Sequence, residues 1–131
     1  MSCYQTPYGT VTFVDSPLDV EAFESFLSAN TTMAVDTETT GLDIFAPGFR
    51  VRLVQFGNAT EAFVLCALTY PDLIGWALGK GHQLVMHNAT YDALVLSNSK
   101  LAGLDELYAR TIDTRVMAHI LDPRGKQDGS V

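Results

Sequence analysis

The stretch Met33-Ala34-Val35-Asp36-Thr37-Glu38-Thr39-Thr40-Gly41-Leu42-Asp43 joins a short apolar run to two carboxylates spaced two residues apart. The apolar residues predict a buried strand. Side chains at positions i and i+2 of a strand project from the same face, so Asp36 and Glu38 can converge on one cation while Thr37 projects from the other face. Carboxylate oxygens suit Mg²⁺ or Mn²⁺. The stretch therefore predicts a metal site on a strand, and an ordinary strand with an acidic turn is the alternative.

Two apolar patterns precede this stretch. Val11 and Phe13 alternate with polar residues and predict a short strand, to which Tyr8 could belong. Ser16-Pro17 supplies an N-cap and a first helical position, which predicts a helix from there to about Ala29. The apolar residues of this helix recur at helical spacing and are expected in the core; they are Val20, Phe23, Phe26 and Leu27.

The residues that follow predict a mixed sheet with helices on its faces. Strands at 33–38, 52–56 and 62–65, with a hairpin turn at 57–60, form an antiparallel meander. The elements expected after the meander are a helix from Pro71, a short buried strand at 84–87, a helix that carries Asp92 and a helix from about 113 to 121. A meander followed by alternating helices and strands places the chain in the α/β class.

Length and composition indicate one folded domain. The chain has 131 residues, and a hydrophobic content of 47% is sufficient for a core. A net charge of −7 argues against sequence-blind attraction to nucleic acid, which depends on Lys and Arg. Arg50 and Arg52 nevertheless follow the acidic stretch closely, and bound metal would offset its charge. Weak binding of nucleic acid by the isolated domain is therefore expected.

The cysteines and the apolar runs indicate a cytoplasmic protein. Cys3 and Cys66 have neither metal-type spacing nor a disulfide pattern, so free thiols are expected. No apolar run approaches the roughly 18 residues that a membrane span requires, and no membrane partner is predicted.

Three segments resemble the DEDD superfamily of 3′ to 5′ exonucleases. The acidic stretch resembles the first motif of that superfamily, an apolar run followed by DxExTGL. His87-Asn88-Ala89-Thr90-Tyr91-Asp92, after an apolar run, resembles the second motif, NxxYD, in the form found in proofreading domains of family A DNA polymerases. The segment 111–123 resembles the helix that follows this second motif. The three segments occur in the order of the superfamily and span most of the chain.

The resemblance implies a ribonuclease H-like fold and a two-metal exonuclease acting on single-stranded DNA ends, in a phage or bacterial host cytoplasm. It implies that Asp36 bridges two Mg²⁺ or Mn²⁺ ions, that Glu38 binds the ion holding the attacking water, and that Asp92 helps to hold the other ion. One acidic pair would be insufficient, because two cations about 3.5–4 Å apart repel strongly.

The same resemblance implies substrate contacts. Thr39 and Leu42 belong to the first motif, where the leucine would act as an apolar wedge between the last two bases, and Asn88 and Tyr91 belong to the second. Alternatives remain open from the residues alone: Leu42 as a buried loop residue and Asn88 as a cap. The segment from Arg52 to Phe56, which reads RLVQF, also resembles a strand of RNase D-type enzymes, so RNA stays an alternative to DNA.

The third motif of the superfamily, a Tyr or His followed by the fourth carboxylate, has no match in the sequence. Asp122 and Asp128 lack the required spacing, and Asp113 suits a helix N-cap better than a metal site. We therefore predict an incomplete, C-terminally truncated exonuclease domain over 1–122 and a mobile tail over 123–131. Self-association or a partner is expected to cover the missing part. A non-catalytic binding module of the same fold is the alternative function.

The three histidines are not predicted to be catalytic. His82 and His119 lack partners at metal-ligand spacing, which favours a surface position or a hydrogen-bonded position in the core. His87 is adjacent to the second motif, but this position alone does not make it a base.

Overall fold

Seven strands form one mixed sheet in a computed structural model that describes residues 3–124. The strands are β1 (Cys3–Thr6), β2 (Gly9–Phe13), β3 (Thr32–Thr39), β4 (Val51–Gly57), β5 (Glu61–Cys66), β6 (Gln83–Met86) and β7 (Thr111–Asp113). The helices are α1 (Pro17–Ala29), α2 (Pro71–Leu78), α3 (Ala89–Asn98), α4 (Leu104–Arg110) and α5 (Thr114–Leu121). The strand order is β1-β2-β5-β4-β3-β6-β7, which confirms the predicted mixed α/β sheet.

Strand β3 lies between an antiparallel and a parallel neighbour. It pairs antiparallel with β4 and parallel with β6, and β4 pairs antiparallel with β5, so the predicted meander is confirmed. Asp36 is opposite Gln55 and Glu38 is opposite Leu53, after which the register shifts. A shift of this kind bends a strand and changes the direction of its side chains. It occurs where the two predicted metal ligands end the strand.

A cluster of aromatic rings packs helix α1 onto one face of the sheet. Phe23 and Phe26 of α1 meet Phe56 and Phe63 of the sheet, with ring centroids 5.1–5.5 Å apart across the interface. Phe23, Phe26 and Leu27 are buried, as their helical spacing predicted. This contact fixes the face of β3 that points inward, and therefore the face that carries Asp36.

The last helix of the described chain exposes its apolar side chains. No residue of α5 is buried. Its large apolar residues are 50–85% exposed; they are Val116, Met117, Ile120 and Leu121. Such a surface is consistent with the predicted self-association, which stays a prediction.

Three short elements were not predicted. Strand β1 is exposed along its length, α4 buries only Leu107, and β7 has three residues, so none carries a clear apolar period. Tyr8 lies in the turn before β2, not in a strand. Apart from Pro123 and Arg124, the predicted tail lies outside the described residues. Among residues 3–124, no helix has the length and apolar character of a membrane span.

Replacing Phe23 tests the aromatic cluster. Phe23→Ala removes a fully buried ring and should lower the free energy of unfolding by about 3–5 kcal/mol. Phe45→Ala, at a side chain that is 90% exposed, should change it by less than about 0.5 kcal/mol. Urea unfolding followed by circular dichroism gives both values. Equal losses in the two variants would contradict the packing described above.

Candidate active site

Asp36 and Glu38 lie on the exposed face at the end of β3. Exposure alternates along the strand: Val35 and Thr37 are buried, whereas both carboxylates are exposed. The two-residue period of a strand accounts for this pattern. The predicted pairing of the two carboxylates on one face is therefore present in the structure.

Asp92 reaches the site from the first turn of α3. Its side chain is 5% exposed, and its Oδ1 accepts a hydrogen bond from Thr37 Oγ1 at 2.6 Å. Thr37 therefore points away from Asp36 and Glu38, as predicted, but towards the third carboxylate. Thr37 was predicted only to project from the other face, although a polar side chain on the buried face of a strand indicates a buried hydrogen-bond partner.

Burial and neighbouring negative charge act together on Asp92. Burial raises the pKa of Asp92, the Thr37 hydrogen bond lowers it, and the charges of Asp36, Asp113 and Glu38 raise it further, to about 6 from 3.8. The negative potential of the β3 carboxylates thus reaches Asp92. A cation at this place would offset that potential.

The side chains as they stand do not form a three-ligand metal centre. Among the described residues, no group of three Asp, Glu, His or Cys side chains is placed to hold a metal ion. The donor chemistry nevertheless suits a hard divalent cation, since Asp36 and Glu38 share one face. Within residues 3–124 the Asp92 carboxylate accepts a hydrogen bond only at Oδ1, which leaves Oδ2 available.

Thr39 and Tyr91 meet at the beginning of the loop that follows β3. Both hydroxyls lie close to Gly41 O, at 2.5 Å for Thr39 Oγ1 and 3.1 Å for Tyr91 Oη, and the two hydroxyls are 3.1 Å apart. Two hydroxyl protons are shared among these three oxygens. Two of the predicted substrate residues therefore hold the loop that carries a third, Leu42. Leu42 is 88% exposed, so the alternative of a buried loop leucine is wrong.

Asp113 caps two helices at once. It accepts hydrogen bonds from the backbone N–H groups of Asn88 (3.0 Å), Ala89 (2.8 Å) and Arg115 (2.9 Å). Burial raises the pKa of Asp113, but the backbone N–H groups of Ala89, Arg115, Asn88 and Val116 together lower it below its ordinary value. The predicted N-cap of α5 is confirmed. The bonds to the start of α3 were not predicted, because those partners lie far away in sequence.

Asn88 occupies the N-cap position of α3 in a left-handed conformation, with φ of 64°. Its side chain makes no capping hydrogen bond; instead Oδ1 accepts one from Arg115 Nη1 at 3.2 Å. Asn88 therefore occupies the N-cap position, as the alternative predicted, but its side chain does not cap α3 with a hydrogen bond. Within residues 3–124, the side chain of Asn88 forms no hydrogen bond with the other predicted site residues.

Among the described residues, no histidine forms a hydrogen bond with Asp36 or Glu38, although His87 lines the same cavity as Asp36. His82 is buried, with Nε2 2.8 Å from Leu27 O, but its Nδ1 has no partner among residues 3–124. The predicted hydrogen-bonded position of His82 in the core is therefore confirmed for only one of its two ring nitrogens. His87 is exposed, with Nδ1 3.0 Å from Thr114 Oγ1, and His119 is exposed.

Comparison with known families identifies the domain. Residues 11–127 match a family of 3′-5′ exonuclease domains of the DNA polymerase A type. The chain belongs to this exonuclease family. The chain is 39% identical over 120 residues to a DNA polymerase of Mycobacterium phage D29 and 38% identical over 124 residues to that of Mycobacterium phage L5. These matches cover 88% and 92% of the chain but only 20% and 21% of the two polymerases.

Solved structures show the same fold. The Aedes aegypti Nibbler EXO domain superposes with a TM-score of 0.64 at 15% identity, over 87% of this chain and 57% of that one. Escherichia coli RNase D gives 0.61 at 15% identity, over 86% and 29%. The catalytic core of RRP6 from Trypanosoma brucei gives 0.55 at 26% identity, over 76% and 30%. The predicted ribonuclease H-like fold is confirmed.

The pKa of Asp92 predicts how stability changes with pH in metal-free protein. A folded-state pKa above the ordinary value means that the fold favours protonated Asp92. The contribution of protonated Asp92 to the free energy of unfolding is therefore complete below about pH 4 and is lost as pH rises through about 6. Asp92→Asn keeps an oxygen for Thr37 but cannot ionise. It should therefore melt about 2–8 °C higher than wild type at pH 7.5 and similarly at pH 4, measured calorimetrically with EDTA.

The result that would count against this electrostatic description is equal melting of the two proteins at both pH values. Thr37→Ser serves as the control, because it retains both the Asp92 carboxylate and the hydroxyl that donates to it.

Proposed function

We propose that this domain is a metal-dependent 3′ to 5′ exonuclease that removes nucleotides from single-stranded DNA ends. The observation that carries the proposal is the exposed pair Asp36 and Glu38 at the end of β3, whose negative charge acts on Asp92, itself hydrogen-bonded to the intervening Thr37. Membership of the exonuclease family agrees with this chemistry. The relatives that it resembles are DNA polymerases, which favours DNA as the substrate.

Three carboxylates would hold the metal. Asp36 and Glu38 would supply ligands from the strand, and Asp92 would add its Oδ2 while Thr37 keeps Oδ1 in place. Mg²⁺ or Mn²⁺ ions, two in the complete site, activate water and offset charge on the phosphate when bound. Thr37 is a positioning residue in this proposal, since it acts through Asp92. It also favours the ionised form of Asp92, which is the form that binds a cation.

The substrate side of the site lies on the loop after β3. Thr39 and Tyr91 fix the backbone at Gly41, so Leu42 is presented next to the strand end. An exposed leucine there suits insertion beside a terminal base, which has an apolar face. Asn88 lies at the start of α3, three residues before Tyr91, and is proposed as a further substrate contact.

A fourth carboxylate has no candidate among the described residues. Asp113 is engaged by three backbone N–H groups, and Asp122 pairs with Arg124 at 2.7 Å on the surface. We propose that a second copy or further polypeptide supplies it. The exposed apolar residues of α5 provide a surface on which such a copy could pack.

RNA is the second candidate substrate. Arg52-Leu53-Val54-Gln55-Phe56 lies on β4, directly beside the acidic strand, with Gln55 opposite Asp36. This is the segment that resembles RNase D-type enzymes. A non-catalytic module of the same fold would need neither the metal nor the carboxylate pair.

A nuclease assay distinguishes these functions. Wild type at high protein concentration should shorten 5′-labelled single-stranded DNA from its 3′ end in Mn²⁺, more slowly shorten RNA of the same sequence, and do neither in EDTA. Asp36→Asn should lower the rate by at least about 100-fold, because loss of groups that merely orient a metal ligand already costs 10- to 100-fold. Asp105→Asn, at an exposed acid of α4, is the matched control and should retain the wild-type rate.

Equal ladders from wild type and Asp36→Asn would overturn the proposed site. Faster shortening of RNA than of DNA would identify RNA as the preferred substrate. Retained binding of nucleic acid with no metal-dependent cleavage would favour the non-catalytic module.

A further inference from the structure

The loop at residues 40–50 presents two large apolar side chains to solvent beside the acidic strand end. Leu42 is 88% exposed and Phe45 is 90% exposed, and Phe45 is the most exposed of the large apolar residues of the described chain. An isolated exposed apolar residue is common on proteins. Two on one loop, beginning four residues after Glu38, call for a contact outside the described chain.

The loop holds Phe45 outward through an ordered hydrogen-bond scheme. Thr40 and Arg50 close the base of the loop, with Thr40 N donating to Arg50 O and Arg50 N donating to Thr40 Oγ1, both at 3.0 Å. Asp43 orders the tip, because its Oδ1 accepts from Phe45 N at 2.9 Å and its backbone oxygen accepts from Ala46 N at 3.1 Å. Phe45 therefore lies in a hydrogen-bonded turn, and this turn leaves its ring exposed.

Other apolar residues of the same loop do pack inward. Ile44 and Phe49 are partly buried against the hydrophobic core. They anchor the loop on both sides of its tip, and Phe45 is left as the aromatic ring that this packing does not use.

Arg50 ends the loop, and Arg52 follows it as the second residue of β4. Within residues 3–124, neither Arg50 nor Arg52 forms a side-chain hydrogen bond or an ion pair, whereas Arg110, Arg115 and Arg124 all do. The chain has a net charge of −7, and Arg50 closes the base of the loop that carries the exposed ring of Phe45. Proteins that bind single strands combine aromatic stacking surfaces with basic groups along the backbone.

We propose that Phe45 stacks on a base of the single-stranded substrate beyond its terminal nucleotide, and that Arg50 contacts a phosphate of the same strand. This inference rests on the proposed exonuclease function and adds a specificity determinant to it. Stacking is tolerant of sequence, because every base has a π-face. Phe45 would thus help to select single strands, in which bases are free to stack, over paired ends.

Steady-state kinetics on two substrates test the proposal. With a single-stranded oligonucleotide in Mn²⁺, Phe45→Ala should raise KM by about 5- to 150-fold and leave kcat nearly unchanged. With the p-nitrophenyl ester of thymidine 5′-monophosphate, which has no second base, the same variant should behave as wild type. Tyr8→Ala, at an aromatic ring 88% exposed on the β1–β2 turn, is the matched control and should change neither substrate.

Further variants separate stacking from apolar contact. Phe45→Trp should keep the wild-type KM for the oligonucleotide, whereas Phe45→Leu, apolar but without a ring, should behave like Phe45→Ala. Arg50→Gln should raise the same KM and reduce its dependence on salt. Melting temperatures equal to wild type show that these exposed positions leave the fold intact.

Several results would overturn the inference. An unchanged oligonucleotide KM in Phe45→Ala, full activity of Phe45→Leu, or a changed oligomeric state without a changed KM would each do so while leaving the exonuclease in place. Wild type inactive on both substrates would instead refute the proposed function. In that case, fluorescence anisotropy of a labelled single strand in EDTA decides the stacking, since Phe45→Ala should still weaken binding.

Discussion

The alternation of side chains along β3 is the constraint from which the rest of the site follows. Val35 and Thr37 are buried, and Val35 lies opposite Phe56 of the aromatic cluster, so Asp36 and Glu38 must point out. The same alternation brings the Thr37 hydroxyl to Asp92, 55 residues further along the chain. One strand therefore places two carboxylates directly and the third through a hydrogen bond.

This arrangement is unfavourable for the metal-free fold. Asp92 is buried, and three other carboxylates raise its pKa. A protein selected for stability alone would not place an ionisable group there, and such conflicts are typical of functional sites. The bond from Thr37 limits the conflict by stabilising the ionised form, and a bound cation would remove most of it.

The second half of the site depends on hydroxyl groups instead of charge. Thr39 and Tyr91 join the end of β3 to α3 through Gly41, and Asp113 joins the start of α3 to α5. Helix α3 is thus held at its N-terminal end by two independent sets of hydrogen bonds. The loop carrying Leu42 and Phe45 extends from this fixed point, so its exposed side chains have a defined position relative to the carboxylates.

The sequence predicted the parts of this structure that depend on the spacing of residues close together in the chain. The meander, the buried phenylalanines of α1, the helix carrying Asp92 and the N-cap at Asp113 all follow from spacing within about ten residues. The contact of Thr37 with Asp92 and the bonds from Asp113 to α3 join residues 55 and about 25 apart, which no local pattern encodes. Strands β1 and β7 are short and gain their pairing from neighbours, so propensity alone did not reveal them.

The most direct test of the account is the affinity of the domain for Mn²⁺, measured by electron paramagnetic resonance at pH 7.5 in wild type, Thr37→Val and Thr37→Ser. Valine keeps the shape of threonine but removes the hydroxyl that holds Asp92. We predict that wild type and Thr37→Ser bind alike, and that Thr37→Val binds about 10- to 100-fold more weakly. Equal affinity in all three proteins, or no binding by wild type, would contradict the claim that β3 and Asp92 together form a metal site.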